Sequence, residues 1–363
     1  MKRTLTLVLA IALLLSLISC GATYEPVPST EEEARVVMTL SIGGEEYEIK
    51  YELYRAFFLT YKDEVDGGDE SVWSGESAGE YISRINEIII SRAAEIFAAI
   101  HVAGELGFDA YSSEADEKIN DYVRVSVEGG SFDGVLVEGE GSYEKYLESL
   151  KEMNLNYSVQ ALLIRYSLAV TAINEYYYGT EDPVLGNDGG DFEFDEDDVR
   201  DFYFGEDCAR VMSIFLYSHA YDDTRVKEIR DTIAEKSGKT AVAQYMISFS
   251  TAGYDEIFNG KVEGRYALDP AYYGDYVGEV FSLASGEVSE PIKIDFGESD
   301  GYYIVYRLDA DDDYLDGHYD EVKHTYLANE LGRTLDTAAA TLVESALQSA
   351  AYAEIIHSEI SMD

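Results

Sequence analysis

Val280-Phe281-Ser282-Leu283-Ala284-Ser285-Gly286-Glu287-Val288-Ser289-Glu290-Pro291-Ile292 is followed, after an acidic glycine loop, by Gly301-Tyr302-Tyr303-Ile304-Val305-Tyr306-Arg307-Leu308. These two runs decide the fold of the 363-residue chain. Val280, Phe281 and Leu283 end an amphipathic helix, and Gly286 supplies a turn. Pro291 cannot continue a helix and biases Glu290 toward extended backbone, so 287–292 reads as extended. Residues 301–308 alternate and are rich in β-branched and aromatic side chains, the pattern of a strand.

Working upstream, Ala209-Arg210-Val211-Met212-Ser213-Ile214-Phe215-Leu216-Tyr217 reads as another strand. A helix over 222–236 (Val226, Ile229, Ile233) and a second over 239–249 follow it. Next come Phe249-Ser250-Thr251-Ala252-Gly253-Tyr254-Asp255, Gly260 and Gly264-Arg265-Tyr266. This series resembles a parvulin (PpiC-type) peptidyl-prolyl isomerase domain. The family phrase f-x-L-x-x-G-x-[VI]-S-x-P-[VI] is intact at 281–292, and G-[YF]-H-I-[IV] is matched at 301–305 except that Tyr303 replaces histidine. On the first strand Ser213 stands at the family's other histidine. The family's Thr or Ser after the Pro-x-x segment falls on Ile294, and 298–301 is a four-residue insertion. Only a fragment of the family's glycine loop is present.

The resemblance implies a small antiparallel sheet with helices and an apolar proline pocket. Tyr266 takes the loop aromatic, Tyr272 the pocket methionine and Tyr276 the pocket phenylalanine, with Phe281 completing the apolar wall. These four are the expected substrate-binding residues. With Ser213 and Tyr303 at the two histidine positions, the catalytic groups are unassigned. Rotation about a peptide bond faces about 18–20 kcal/mol and needs no covalent step, so no cofactor and no metal are expected. Catalysis there is binding that favours the twisted amide.

The N-terminal half reads as a hairpin over 35–50 with Gly43-Gly44 at its turn, then a helix over 51–65 with Leu53, Tyr54, Phe57, Phe58 and Tyr61. Ser77-Ala78-Gly79-Glu80 has the form of a capping box before a long helix carrying Ile82, Ile85, Ile89 and Ile96. The same residues match Gly-x-Ser-x-Gly, but a nucleophile elbow needs a buried strand before the serine, and this context is acidic and loop-like. Helices over 112–127, 142–153 and 157–178 follow, with a glycine-rich acidic loop over 128–141. This order resembles the helical chaperone module of PrsA/SurA foldases, in which a C-terminal helix folds back on the module. A helix over 316–358 matches that role; a coiled-coil homodimer is the alternative use of its apolar stripe. Asp195-Glu196-Asp197-Asp198 suits a helix N-terminus and lacks the calcium-loop spacing. A solute-binding fold would need repeated βαβ units, which are absent from this pattern.

At the N-terminus, Lys2-Arg3 precedes an apolar run to Ile18 that is short for a bilayer span. Leu17-Ile18-Ser19-Cys20 resembles a bacterial lipobox, which implies acylation of Cys20, a cell-membrane anchor and an extracytoplasmic location. Several acyl chains, at about 0.8 kcal/mol per buried CH₂, make such an anchor stable. Without Lys2 and Arg3 the chain carries 72 acidic and 24 basic residues, a formal −48. Phosphate backbones would repel it, so nucleic acid is excluded as a partner. Cys208 has no intrachain partner once Cys20 is acylated and reads as a buried apolar residue.

The expected organisation is α+β: signal peptide 1–19, tether 20–34, helical SurA-like module with its hairpin 35–205, parvulin-like α/β domain 206–310, and C-terminal helix 311–363 completing the module. The expected function is a membrane-anchored prolyl isomerase acting on unfolded or proline-containing secreted polypeptides. The alternative is a catalytically inactive holdase that binds such chains through the same domains.

Overall fold

The computed structural model describes residues 24–74, 76–132, 135–179, 190–250, 253–268, 273, 275–294 and 300–349. The fold is mixed and mainly helical, with small antiparallel sheets. The described residues form two compact units, 24–174 with 335–349, and Glu175–Thr334. The divisions fall inside two helices, where the sequence suggested edges at 205/206 and 310/311.

The helical unit begins with strands β1 (Val36–Ile42) and β2 (Glu45–Lys50), paired antiparallel. Gly43 and Gly44 turn between them with φ of 60° and 91°, angles open to glycine at no steric cost. Helix α1 (Tyr51–Asp66) continues from β2 and buries Leu53, Tyr54 and Phe58. Helix α2 (Ala78–Glu105) buries Ile85, Ile89, Ala93 and Ile96. The capping box expected at Ser77 does not form: its side chain makes no cap hydrogen bond, and its ψ of 1° is not the extended geometry of an N-cap. Ser77 follows a 3₁₀ turn, Glu70–Trp73, rather than a strand, so it sits on no nucleophile elbow; Gly75 lies outside the described residues.

Helices α3 (Ser113–Glu128), α4 (Tyr143–Glu152) and α5 (Tyr157–Tyr178) complete the unit. Ser112 and Ser142 cap α3 and α4 by accepting backbone N–H bonds, as their small oxygen-bearing side chains favour. Ala115, Ile119, Val123, Tyr146, Leu150, Ile164 and Leu168 form their shared core. The expected loop between α3 and α4 holds a hairpin, β3 (Gly130–Phe132) with β4 (Val135–Val137). Three-residue strands are too short to show a period.

Residues 24–30, expected as part of a polar tether, are fastened to this unit at Tyr24, Glu25 and Ser29. The Tyr24 ring stacks on Tyr143 at 5.0 Å, and its hydroxyl donates to Glu128 at 3.1 Å. The Tyr143 hydroxyl donates to the Glu25 carbonyl at 2.8 Å, and Ser29 bonds both Glu52 and Ser158.

In the second unit, α6 (Glu196–Phe204) starts at Asp195 in a formed capping box with Asp198, which is what the acidic cluster does there. Among the described residues no group of His, Cys, Asp and Glu is arranged to hold a metal ion. A four-stranded antiparallel sheet follows, in the order β6 (Lys261–Gly264), β5 (Cys208–Tyr217), β8 (Gly301–Arg307), β7 (Ile292–Ile294). Helices α7 (Asp223–Ala234) and α8 (Lys239–Met246) cover one face. The residues after α8 form a 3₁₀ turn, Ile247–Phe249, and then a short helix, α9 (Tyr254–Asn259), that the sequence pattern did not show. Helix α10 (Tyr276–Ser282) lies on the other face.

The C-terminal helix is split. Helix α11 (Asp312–Gly317) is capped by Asp311, and α12 (Tyr319–Ser349) begins after His318; 350–363 lies outside the described residues. Asp311 also pairs with Arg210, whose buried guanidinium lies 3.8 Å over the Tyr314 ring and donates to the Asn259 carbonyl. A buried arginine held by a carboxylate, a carbonyl and a ring face has its desolvation offset. No helix of the described residues is long and apolar enough to cross a membrane.

Candidate functional site

The decisive stretch folds as an irregular rail beside β8. Gly286 takes φ of 85°, and its N–H donates to the Arg307 carbonyl at 2.9 Å. The Arg307 N–H returns to the Glu287 carbonyl at 2.9 Å. Ser289 is buried; its N–H donates to the Val305 carbonyl at 2.8 Å, and its hydroxyl accepts the Val305 N–H at 3.0 Å. The serine therefore satisfies a β8 amide beyond the reach of β7, whose ladder runs only from Ile292–Tyr303 to Ile294–Gly301. At Gly301 a Cβ would lie 2.6 Å from the Leu216 carbonyl oxygen and 2.4 Å from the Phe215 ring, so the position admits only glycine without displacement. Gly286, Ser289 and Gly301 of the motif thus each have a local backbone or packing reason.

Strands β5 and β8 pair Ser213 with Val305 and Phe215 with Tyr303. Directly opposed residues share a face, and alternate residues share it too. Ser213 and Tyr303 therefore stand on one face of neighbouring strands. The rings there form a row. Tyr276 lies 4.9 Å from Tyr303, Tyr303 lies 4.9 Å from Phe215, Phe215 lies 4.9 Å from Tyr217, and Tyr217 lies 5.3 Å from His219. Tilted and edge-on rings at these separations attract beyond their area burial. The row runs from the interior, where Tyr276 is 1% exposed, to the surface, where Tyr217 is 46% exposed.

Of the expected substrate-binding residues, Tyr276 is thus the floor of the row. Its hydroxyl donates to Glu263 at 3.2 Å, and Lys261 holds the same carboxylate at 2.6 Å. Burial first, and then the Glu263 charge, push the Tyr276 phenol well above its ordinary value. Phe281 is half-buried under the Arg265 guanidinium, 4.6 Å from the ring centroid, with Arg307 at 5.9 Å. Tyr266 is placed by α12: its N–H donates to the buried Asn329 side chain at 2.9 Å, and its carbonyl abuts Gly332, where a Cβ would clash with it. These two partners, Asn329 and Gly332, belong to α12 and not to the row. Tyr272 and Cys20 lie outside the described residues.

Phe215 and Tyr217 were not foreseen as functional, although the signal was present. They alternate with Ser213 along β5, and pairing that strand with 301–307 brings them beside Tyr303. No histidine of the described residues occupies the Ser213 or Tyr303 positions; His219 is exposed at the open end of the row, and His318 stacks on Tyr314 at 4.1 Å. Cys208, at the start of β5, is buried, and burial pushes its thiol up to about 12. Such a thiol is protonated at neutral pH and is no nucleophile.

No protein-family profile matches the sequence, and no curated protein matches it. Among solved structures it is similar to foldase protein PrsA from Streptococcus pneumoniae str. Canada MDR_19A, at 15% identity over 85% of this chain and 94% of that one, with a TM-score of 0.27. It is also similar to PrsA from Bacillus subtilis, at 15% identity over 75% and 88%, TM-score 0.24. A third is the peptidylprolyl isomerase PrsA from Bacillus cereus, at 15% identity over 88% and 93%, TM-score 0.25. Superpositions this loose fix no residue correspondence.

Proposed function

We propose that this protein is an extracytoplasmic folding factor, anchored to the membrane through Cys20, that binds unfolded and proline-containing secreted polypeptides on the aromatic face of its parvulin-like unit. The observation that carries the reading is the row Tyr276–Tyr303–Phe215–Tyr217–His219 on one sheet face, closed at one end and open at the other. Proline and other apolar side chains stack on such rings, and tyrosine hydroxyls offer hydrogen bonds to the client backbone. The helical unit completes a chaperone of PrsA/SurA type in this reading.

The row favours holding over isomerisation. Ser213 is a half-buried hydroxyl and Tyr303 is wedged between Phe215 and Tyr276, so these two strand positions offer hydroxyls and no imidazole. An isomerase must bind the twisted amide more tightly than the planar one. The test is a proline-limited refolding reaction run beside an aggregation assay with the same client. The holdase reading expects suppressed aggregation and an unchanged slow refolding phase. Acceleration of that phase, lost in Tyr303→Phe, returns the protein to the isomerases.

A further inference from the structure

We propose that the β3–β4 hairpin is a membrane-facing finger, with Leu136 inserted at the bilayer surface beside the acyl anchor. Leu136 is 88% exposed, the most exposed of the large apolar residues that stand out from the surface. It sits on β4 opposite Ser131. Counting from Glu128, the Ser131 position lies within about 10 Å at strand rise. The hairpin is tied to α3 at its base: Glu140 N–H donates to the Ser126 carbonyl at 3.0 Å and Gly141 N–H to the Val127 carbonyl at 2.8 Å.

The occupant of this surface is chosen by where the N-terminal chain is fastened. Tyr24 bonds Glu128, the last residue of the helix before the hairpin, and stacks on Tyr143, the first residue of the helix after it. The two contacts bracket the hairpin. Only Gly21, Ala22 and Thr23 separate Tyr24 from Cys20. Four residue steps span at most about 14 Å, so a lipid on Cys20 holds the hairpin base close to the bilayer. One exposed leucine does not bind a membrane alone, but an anchor that close raises its effective concentration enough to fix an orientation. Glu138 and Glu140 are exposed at the foot of β4 and limit insertion to the leucine. This inference rests on the anchoring reading above.

The experiment uses the acylated full-length protein in vesicles of brominated phosphatidylcholine. Leu136→Trp is compared with Met153→Trp at the far end of α4, and the wild type with its buried Trp73 gives the background. The expected result is several-fold stronger quenching at 136 than at 153. Inserting about ten Gly/Ser residues between Cys20 and Tyr24 should abolish the difference, since such a linker is a flexible coil. Equal quenching at both positions overturns the finger, and so does a blue-shifted, unquenched signal at 136 that reddens on dilution, which marks contact with a second copy. Should cells leave Cys20 unmodified, the anchoring reading fails. A maleimide lipid attached there still decides the finger, because the buried, protonated Cys208 does not compete.

Discussion

The two faces of the four-stranded sheet are built from alternate residues of the same strands. One face is Met212, Ile214, Leu216 and Ile304, packed under Val226, Ile229, Ile233, Val242 and Met246, all nearly inaccessible. The other is Val211, Ser213, Phe215 and Tyr217 with Tyr303 and Val305, covered at one end by Tyr276 and Val280 and open at the other. The first face has an aliphatic centre closed by the helices, with Tyr302 and Tyr306 half-buried on either side of Ile304, and its work is stability. The second is aromatic and graded from core to solvent, which is the arrangement a binding surface needs.

The sharpest break between the faces is energetic. Ile304→Ala, on the closed face, should cost about 2–5 kcal/mol, the usual range for a fully buried aliphatic truncation. Denaturant unfolding of the protein checks it. Tyr276→Phe keeps the ring and removes the donor to Glu263, leaving a buried carboxylate short of a partner; about 1–3 kcal/mol should be lost. A Tyr276→Phe protein as stable as the wild type would mean that Lys261 alone satisfies Glu263. Tyr217→Ala, at the open end, should change stability by no more than about 0.5 kcal/mol. Its effect should appear in client binding instead, and this separation of the two readouts is what distinguishes the faces.

Titration sharpens the comparison further. The Cys208 thiol on β5 and the Tyr276 phenol beneath the row are both raised by burial. The folded state therefore keeps protons that the unfolded chain releases near pH 8.5 and 10. Their stability is fully present below those values and is lost as pH rises toward the folded values. Asp311 runs the other way. Burial alone would raise its carboxyl, but the Tyr314 N–H and Arg210 outweigh it and hold it below the ordinary range. Its stabilisation is present above the unfolded value near 3.9 and fades as pH falls through the folded one. Unfolding midpoints across pH should decline at both ends, with the acid limb weakened in Asp311→Asn.

Much of the sheet unit was legible because its signals are local. Gly286, Ser289 and Gly301 each answer a backbone demand that any chain with this turn and ladder must meet, so 281–305 announces its fold. The hairpin at 36–50 and the serine-started helices were legible for the same reason. The misses are tertiary. The Ser77 box has the right letters, but nothing in the sequence reveals that its backbone is not extended there. Helix α11 exists because Asp311 caps it while pairing with Arg210 a hundred residues away. The docking of 24–30 depends on Tyr143 and Glu128, which no spacing in the sequence connects. The candidate site was half-read: Tyr303 and Tyr276 came from the motif, whereas Phe215 and Tyr217 required the strand register.

The central claim is that unfolded polypeptide binds the open end of the aromatic row. Its most direct test is the affinity of the protein for a permanently unfolded, proline-containing polypeptide, measured by fluorescence anisotropy for wild type, Tyr217→Ala and Lys293→Ala, an exposed control on the edge strand. Losing one stacking ring should weaken binding about tenfold in Tyr217→Ala, equivalent to about 1.4 kcal/mol, with Lys293→Ala unchanged. Equal affinity in all three proteins would contradict the account and move the client site off this face.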